Sequence, residues 1–339
     1  MFIKKFCSLK KFNTFGINVY ARYFIEINNL DDLIIFFKSI KKNIPKIFIG
    51  DGSNILFLKN YFPGYVIKIG IKGKKIIYED YKNVIIQAFS GENWSNFVTW
   101  TIKNKFFGLE NLSFIPGTVG AAPIQNIGAY GSEIKKTLVK VKGYDIINKK
   151  IVEISNKKCN FSYRSSIFKK NLKNSFLILS VFFILSKKEK KLNTYIDIKK
   201  ELKYMNITKP TVQNIRKVIF KIRNKKIPNP KKLGNAGSFF INPIIKKYYF
   251  KKLQIKYPDI IGHPISKKKI KLSANYLIEK IGWKGKIIDY VGTYKKQPII
   301  LVNYGVYSGM DIYNFSKKIN NKINEKFGIY LPIEVNLIY

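Results

Sequence analysis

Histidine occurs once in this chain, as His263, and cysteine twice, as Cys7 and Cys159. Ser-His-Asp and Cys-His catalysis both need an imidazole base, and histidine-rich metal sites need several ligands. Either one imidazole does all the acid–base work or other groups do it, and no metal centre is expected. His263-Pro264 reads as a turn carrying a solvent-exposed ring. Two cysteines exclude a disulfide framework and fit a reducing cytoplasm. Long apolar runs are missing as well. The first eleven residues hold no stretch resembling a signal peptide. The most apolar segment, Phe176 to Leu185, is about half of what a bilayer span needs; rich in β-formers, it reads as a buried strand. A soluble protein with no membrane partner is expected.

Acidic side chains are also scarce: 20 Asp and Glu stand against 63 Lys and Arg, a net charge of +43. Basic surfaces collect phosphate, which opens a nucleic-acid reading. The lysines, however, are spread along the whole chain instead of gathering in one arm or helix. Lys, Ile, Asn, Phe and Tyr are abundant together and share A/T-rich codons, so codon bias accounts for the charge without a function, and no nucleic-acid partner is expected. The length of 339 residues allows two or three domains with real cores.

What is present is concentrated in the segment from Gly108 to Lys135. Gly108, Gly117, Gly120, Gly128 and Gly131, with Pro116 and Pro123, are set among small or apolar residues, and only Thr118, Gln125, Asn126 and Tyr130 supply polar groups in its middle. A surface loop would carry Ser, Asp, Lys and Asn instead. Small side chains let a backbone approach a flat or charged ligand and offer its N–H groups, so a bound cofactor is the expected reason for the segment.

Periodicity predicts helices over Leu33–Ile40, Asn93–Asn104, Val212–Arg223, Tyr276–Ile281 and Ile312–Phe327. Strands are predicted at Pro45–Ile49, Tyr65–Ile71, Asn83–Ala88, Leu138–Tyr144, Phe176–Leu185 and Pro298–Asn303, with a final one over Leu331–Tyr339. The proline pair in Ile227–Pro230 marks a boundary between a front half and a back module. Gly50-Asp51-Gly52-Ser53-Asn54 follows a strand and looks like a phosphate-gripping turn. Ile55 stands where a dinucleotide fingerprint needs its third glycine and no Walker lysine follows, so a tight turn without a ligand is an equal alternative.

Three further segments are unusual. Arg164 stands in an aromatic and hydroxyl stretch, Ser238 follows the small-residue turn Gly234-Asn235-Ala236-Gly237, and Glu334 opens the tail strand between Ile333 and Val335. Each has an ordinary alternative: a cation–π contact, a helix cap and a solvent-facing strand residue.

Together these pieces resemble the UDP-N-acetylenolpyruvoylglucosamine reductase family along nearly the whole chain. The resemblance runs from Asn13-Thr14-Phe15-Gly16 through Gly50–Asn54, Gly91-Glu92-Asn93-Trp94 and Pro116–Gly131. It continues through Tyr163-Arg164-x-Ser166, Gly234–Phe240 and Leu301-Val302-Asn303 to Glu334. It implies an α+β protein whose FAD-binding unit, of vanillyl-alcohol-oxidase (PCMH) type, covers residues 1–222 in subdomains of about 1–68 and 69–222. A smaller α+β substrate domain would cover 223–328, with the strand 329–339 returning to the FAD unit. It implies non-covalent FAD held by Gly50, Asp51, Gly52, Ser53 and Asn54 at the pyrophosphate. Ile115, Pro116, Gly117, Thr118, Val119, Gly120, Gln125, Asn126, Gly128, Ala129, Tyr130 and Gly131 would line the flavin.

The implied activity is NADPH-dependent reduction of UDP-N-acetylglucosamine enolpyruvate to UDP-N-acetylmuramate, for peptidoglycan, by a cytoplasmic monomer. Arg164 would hold the enolpyruvyl carboxylate, Glu334 would assist, and Ser238 would protonate C2. Tyr195, in Thr194-Tyr195-x-Asp197, matches a tyrosine on a loop that closes over substrate in one subgroup. Lys226, Asn242 and Gln297 match polar residues near the diphosphate and sugar, and His263 lies near a position often held by tyrosine. Ile241, Asn275, Tyr276 and Tyr294 depart from the family's usual lysine, glycine, tryptophan and histidine, all in the back module. A second enzyme reading keeps the flavin and changes the substrate, as in relatives that oxidise alcohols or sugars. Many of those attach FAD through a histidine, which the front half lacks, and none has a reason to carry the Arg164, Ser238 and Glu334 set.

Overall fold

The apolar run at 176–185 becomes the central strand, Phe176–Ser186, of a five-stranded antiparallel sheet. In order across the sheet the strands are Lys150–Ser155, Leu138–Asp145, Phe176–Ser186, Asn83–Phe89 and Lys74–Glu79. The central strand is apolar on both faces because it serves two cores. Phe176, Ile178, Val181, Phe183 and Leu185 enter one, and Leu177 and Leu179 the other. The change of side falls at a bulge, where Lys142 pairs with Ser180 and Gly143 with Ile178, leaving Leu179 as the extra residue.

The computed structural model describes residues 2–40, 43–189 and 195–339. Two compact units share the chain. The first comprises residues up to Cys7, Ala21–Asp51 and Pro63–Asn224; the second comprises Ser8–Tyr20, Gly52–Phe62 and Lys225–Tyr339.

In the first unit a four-stranded sheet runs in the order Ile3–Ser8, Tyr20–Ile27, Tyr61–Ile69, Lys46–Ile49. The helix Leu30–Ser39, capped by the Asn29 side chain, buries Leu33 and Phe36, the latter edge-on to Tyr65. The helix Trp94–Lys103 buries Trp94, Phe97, Val98 and Ile102, the stripe read from its period. Its N-cap Asn93 accepts the Asn96 N–H. Two further helices, Ile196–Tyr204 and Val212–Lys226, pack Ile198 and Leu202 against Ile215, Val218, Ile219 and Ile222.

In the second unit an antiparallel sheet runs Gly234–Ser238, Gln297–Asn303, Val291–Tyr294, Ile287–Ile288, accompanied by the helices Ala274–Lys280 and Gly309–Phe327. A smaller sheet joins Ile244–Lys246, Lys269–Leu272 and Gly262–Ser266.

Two expectations are corrected here. His263 is not in a turn: it lies in the strand Gly262–Ser266, opposite Lys271, with its ring exposed. The turn of that hairpin is Lys267-Lys268, which carries none of the residues that announce a turn. The tail strand covers only Asn336–Ile338, parallel to Ile55–Phe57. Upstream, Pro332 has no N–H to donate, and Ile333 and Glu334 pair instead with Phe240 and Phe239. No described helix is long and apolar enough to cross a membrane. Among the described residues no group of His, Cys, Asp and Glu could hold a metal ion.

Candidate active site

The central segment is built onto the first unit by its own backbone. Trp94 N–H donates to Gly117 O (2.9 Å), Val119 N–H to Glu92 O (2.9 Å) and Gly120 N–H to Ser90 O (3.0 Å). A turn-rich stretch then bonds to itself through Ala121, Ala122, Ile124, Asn126 and Ile127. Gly50 lies directly against Thr118: a Cβ on Gly50 would sit 2.5 Å from Thr118 Oγ1. Beside it Asn93 Nδ2 donates to Asp51 Oδ2 (3.3 Å). The two glycine-containing turns expected to meet a cofactor therefore meet each other first. Their outward surface is apolar without being core: Pro116, Ala121 and Gly131 are exposed, and Ile115, Gly120, Gly128 and Ala129 half-buried. That surface and its small side chains fit a flat ring, and the backbone of the Gly50-Asp51 turn fits a phosphate.

Not every residue expected at the cofactor faces outward. Val119 is wholly buried in the core. Asn126 is also wholly buried, donating to Glu133 Oε2 (3.0 Å) and Ser162 O (3.1 Å) and accepting Lys135 N–H (3.2 Å). Its amide is spent on holding three stretches of chain together. Gly128-Ala129 and Ser132-Glu133 form a short hairpin whose tip residues, Tyr130 and Gly131, both have left-handed φ (48° and 78°), as a type I′ turn requires. Gln125 is half-buried in the same segment.

Arg164 is at a second tight turn, where Ser162 and Ser165 exchange backbone hydrogen bonds (2.9 and 3.1 Å). Its φ of 54° is left-handed, as at the third position of a type II turn. The turn is tied to the central segment: Ser166 Oγ donates to Ile124 O (2.6 Å), and Arg164 Nη2 to Gly128 O (2.9 Å). The cation–π alternative also holds, with the guanidinium carbon 5.4 Å from the Tyr163 ring centre.

Ser238 and Glu334 come together in the second unit. Asn235, buried, donates from Nδ2 to Pro228 O (3.1 Å) and Leu233 O (2.8 Å) and accepts Gly237 N–H at Oδ1 (3.0 Å). Gly237 takes a left-handed φ of 68°, and the pairing with Gln297–Asn303 slips between Asn235 and Ser238. This bulge leaves Ser238 exposed at the strand end, opposite Ile300. No helix follows, so Ser238 is not a cap. Glu334, half-buried and outside any strand, donates its N–H to Phe239 O (2.8 Å), next to Ser238. Asn54 reaches the same place: its O accepts Asn336 N–H and Nδ2 (both 3.0 Å), and its Nδ2 donates to Glu334 O (3.4 Å). Gly52, buried, and Ser53, half-buried, precede it, and Gly52 O accepts Thr14 N–H (3.2 Å).

The residues expected to touch substrate are distributed over both units. Tyr195, exposed, precedes the helix Ile196–Tyr204 and meets Tyr130 edge-on at 6.1 Å; Thr194 lies outside the described residues. Lys226 ends the helix Val212–Lys226. Asn242 Oδ1 accepts Ala274 N–H (2.9 Å), and Asn275 Oδ1 accepts Ile299 N–H (2.8 Å), two residues after Gln297. Ile299 O in turn accepts Phe239 N–H (2.8 Å), which ties the Gln297–Asn303 strand to the residue after Ser238. His263 stands apart on its edge strand.

Residues 229–338 match the UDP-N-acetylenolpyruvoylglucosamine reductase C-terminal domain, and residues 21–150 match an FAD binding domain. The UDP-N-acetylenolpyruvoylglucosamine reductase of Flavobacterium johnsoniae is 44% identical over 332 residues, 98% of each chain. The chain belongs to the UDP-N-acetylenolpyruvoylglucosamine reductase family. Reductases of this family from Buchnera aphidicola and Pseudomonas putida are 43% and 38% identical, over 98% and 97% of each chain. The solved UDP-N-acetylenolpyruvylglucosamine reductase of Thermus caldophilus matches over the full length of both chains, with a TM-score of 0.67 at 19% identity, which shows the shared fold. The expected α+β fold with an FAD-binding unit is thus borne out.

Two of the departures from the reductase family's usual residues have local explanations. A glycine in place of Asn275 could not accept the Ile299 N–H. The Tyr276 hydroxyl donates to Asp259 Oδ1 (2.8 Å), and Lys280 Nζ pairs with Asp259 Oδ2 (2.7 Å). Burial, then Asp259, pushes the Tyr276 hydroxyl up to about 12. Ile241 is half-buried with its N–H donating to Pro332 O (2.7 Å), and nothing in the structure explains the tyrosine at 294.

One residue of this region escaped the sequence reading. The Arg223 guanidinium and the Tyr130 hydroxyl influence each other electrostatically. Burial pushes the Tyr130 hydroxyl up and the Arg223 guanidinium down, and each partner's effect on the other opposes that shift.

Proposed function

We propose that this chain reduces UDP-N-acetylglucosamine enolpyruvate to UDP-N-acetylmuramate with NADPH, through non-covalently bound FAD, for peptidoglycan synthesis. The observation that carries the reading is the near-full-length kinship with reductases of that name, together with Ser238 displayed beside Glu334 by a built bulge. Ile115–Gly131 would line the flavin ring and Gly50–Asn54 the pyrophosphate. The 223–328 region would form the substrate domain, and the tail would return Glu334 to the flavin. The chemistry a bound FAD supplies is transfer of a hydride, taken from NADPH, to C3 of the vinyl group.

The remaining work falls to side chains. Charge that develops on the enolpyruvyl unit moves into its carboxylate, and the Arg164 fork holds those two oxygens. Glu334, in its acid form, hydrogen-bonds the same oxygens, since a second bare anion there would oppose the reaction. Ser238 gives a proton to C2; an enolate carbon is basic enough to accept it from a hydroxyl. Tyr195, Lys226, Asn242 and Gln297 would receive the nucleotide sugar, with His263 as an outer contact. Because one chain carries every named residue, we take a cytoplasmic monomer as the working unit. The lysines are scattered along the whole chain instead of gathering in one segment, which favours a nucleotide-sugar partner over nucleic acid.

The test is an anaerobic stopped-flow experiment on the yellow holoenzyme. NADPH should bleach the flavin and the enolpyruvyl substrate should restore its colour. Ser238→Ala should leave the first step nearly intact and slow the second by about a hundredfold or more. Equal slowing of both steps would make Ser238 structural, and no release of flavin on denaturation would count against the reading as a whole.

A further inference from the structure

Asn13-Thr14-Phe15-Gly16 supplies no group to the chemistry proposed above, yet Asn13 and Phe15 are both buried. A polar side chain is buried at a cost unless its hydrogen bonds are made. Asn13 makes them to the chain on either side of itself. Its Nδ2 donates to Leu9 O, four residues back, and to Ile17 O, four residues ahead (both 2.9 Å), and its Oδ1 accepts Ile17 N–H (3.1 Å). Both amide hydrogens and the carbonyl are thereby used. Gly16 N–H donates to Asn13 O (3.1 Å), and Leu9 N–H donates to Val19 O (2.7 Å) across the base. Residues 9–19 form one tied loop.

The loop lies between two turns of the second unit. On one side Thr14 N–H donates to Gly52 O (3.2 Å), and a Cβ on Gly52 would run into Phe12 O. On the other side Thr14 O accepts Asn235 N–H (3.0 Å) and Phe15 O accepts Asn303 Nδ2 (3.0 Å). There a Cβ on Gly234 would run into Phe15 O. The Phe15 ring meets that of Phe239, the residue after Ser238, edge-on at 6.3 Å. Thr14 therefore bridges, by its own N–H and C=O, the turn expected at the pyrophosphate and the bulge that displays Ser238. Neither turn can move towards the loop, because loop backbone already fills the space a side chain would need.

We propose that Asn13 is a positioning residue for Ser238. It makes the 9–19 loop a rigid spacer, and the spacer fixes how far Ser238 stands from the Gly52 turn. The inference rests on the function proposed above for the parts that Ser238 and the Gly52 turn play, but its structural half stands without it. Ser238 has to deliver its proton to a carbon whose place is set against a cofactor held at the Gly52 turn. A misplacement of about 1 Å at such a step can cost roughly a hundredfold. Asn13 touches no reacting atom in this scheme and acts through Thr14 and Asn235.

Two measurements on Asn13→Ala test it, with Phe15→Leu, which removes only the ring set against Phe239, held to the same criteria should Asn13→Ala fail to fold. In flavin-free protein, hydrogen exchange at the amides of Thr14, Ile17 and Asn235 should speed up about tenfold more than in the helix Gly309–Phe327. In holoenzyme saturated with FAD, reoxidation of the flavin by substrate should slow roughly ten- to a hundredfold, and its reduction by NADPH by less than about threefold. In a Ser238→Ala background the same substitution should slow reoxidation by less than about threefold more, because its effect passes through the group already removed. Exchange that rises equally across the unit, half-reactions slowed equally, or losses that multiply with Ser238→Ala would overturn the proposal and leave Asn13 a purely structural residue. Failure of the wild-type reduced flavin to be reoxidised would refute the functional reading instead, and the exchange measurement would still decide whether Asn13 holds the loop.

Discussion

Replacing Asn235 by alanine should damage stability and one half-reaction together. The side chain is 2% exposed and makes three hydrogen bonds, to Pro228 O, Leu233 O and Gly237 N–H, all between neutral groups. At about 1 kcal/mol each, with more where a stranded partner stays buried, their loss should cost roughly 2 to 5 kcal/mol. The same bonds hold the 228–237 turn and the bulge that leaves Ser238 at the strand end. Urea denaturation of the variant should therefore show a lower midpoint with an unchanged slope. Anaerobic stopped-flow should show slowed flavin reoxidation by substrate with near-normal reduction by NADPH. Ser238→Ala is the natural comparison. An exposed side chain lost from a strand end should change stability by no more than about 0.5 kcal/mol, yet slow the same step. If Asn235→Ala lost the expected stability and kept wild-type reoxidation, the bulge would have no part in aiming Ser238. If stability were also unchanged, the buried bonds themselves would be refuted.

Arg164→Lys should keep flavin reduction and lose most of reoxidation, because an ammonium cannot make the paired contact; unchanged turnover would remove Arg164 from the site. Gly50→Ala should lower both stability and FAD retention by driving a Cβ into Thr118 Oγ1, and Thr118→Ala should partly rescue stability, since it removes the two closest atoms, Oγ1 at 2.5 Å and Cγ2 at 3.1 Å, and leaves the Thr118 Cβ at an ordinary 3.4 Å. Additive rather than compensating losses in thermal melts would show that the two turns do not touch. Burial holds the Cys159 thiol up to about 12, against 9.0 unperturbed. A raised folded pKa gives stability that is complete below pH 9 and is lost as the pH climbs towards 12, so Cys159→Ala should flatten that alkaline decline in urea titrations. A thiol reagent should meet the half-buried Cys7 well before Cys159, and simultaneous reaction would contradict the burial.

Much of the frame was legible because burial imposes a period. The strand Asn83–Phe89 alternates between core and surface, and the helix Trp94–Lys103 buries the stripe its spacing announced. The Phe176–Ser186 run was legible as a strand but not as one that serves two cores, since the bulge at Leu179 leaves no mark in composition. The tail was overextended because Leu331–Val335 has a strand's residues but forms an isolated bridge, Ile333 with Phe240, in place of a continuous ladder. The turn around His263 was misplaced for the converse reason, a hairpin whose turn, Lys267-Lys268, has no glycine or asparagine.

The site was legible wherever chemistry needs a residue type at an odd place, as with an arginine among aromatics or a serine after glycines. Arg223 satisfied no such rule from its own neighbours, because a basic residue in a lysine-rich helix looks like solvated surface. Its signal lay in the whole chain, in the rarity of arginine against so much lysine. The glycines carry the opposite lesson. Gly50 was read as a place where backbone approaches a ligand, yet the first atom it would strike is a threonine oxygen of the protein. A glycine records that something comes close, and only coordinates say what. Here two turns are pressed together edge to edge, with half-buried apolar surface left beside them. The packing of the fold and the fit of a flat cofactor therefore ask for the same small residues, so substituting any one of them tests both at once. Separating the two needs a second-site change such as Thr118→Ala, which should relieve the packing conflict at Gly50→Ala while leaving any loss of cofactor contact in place.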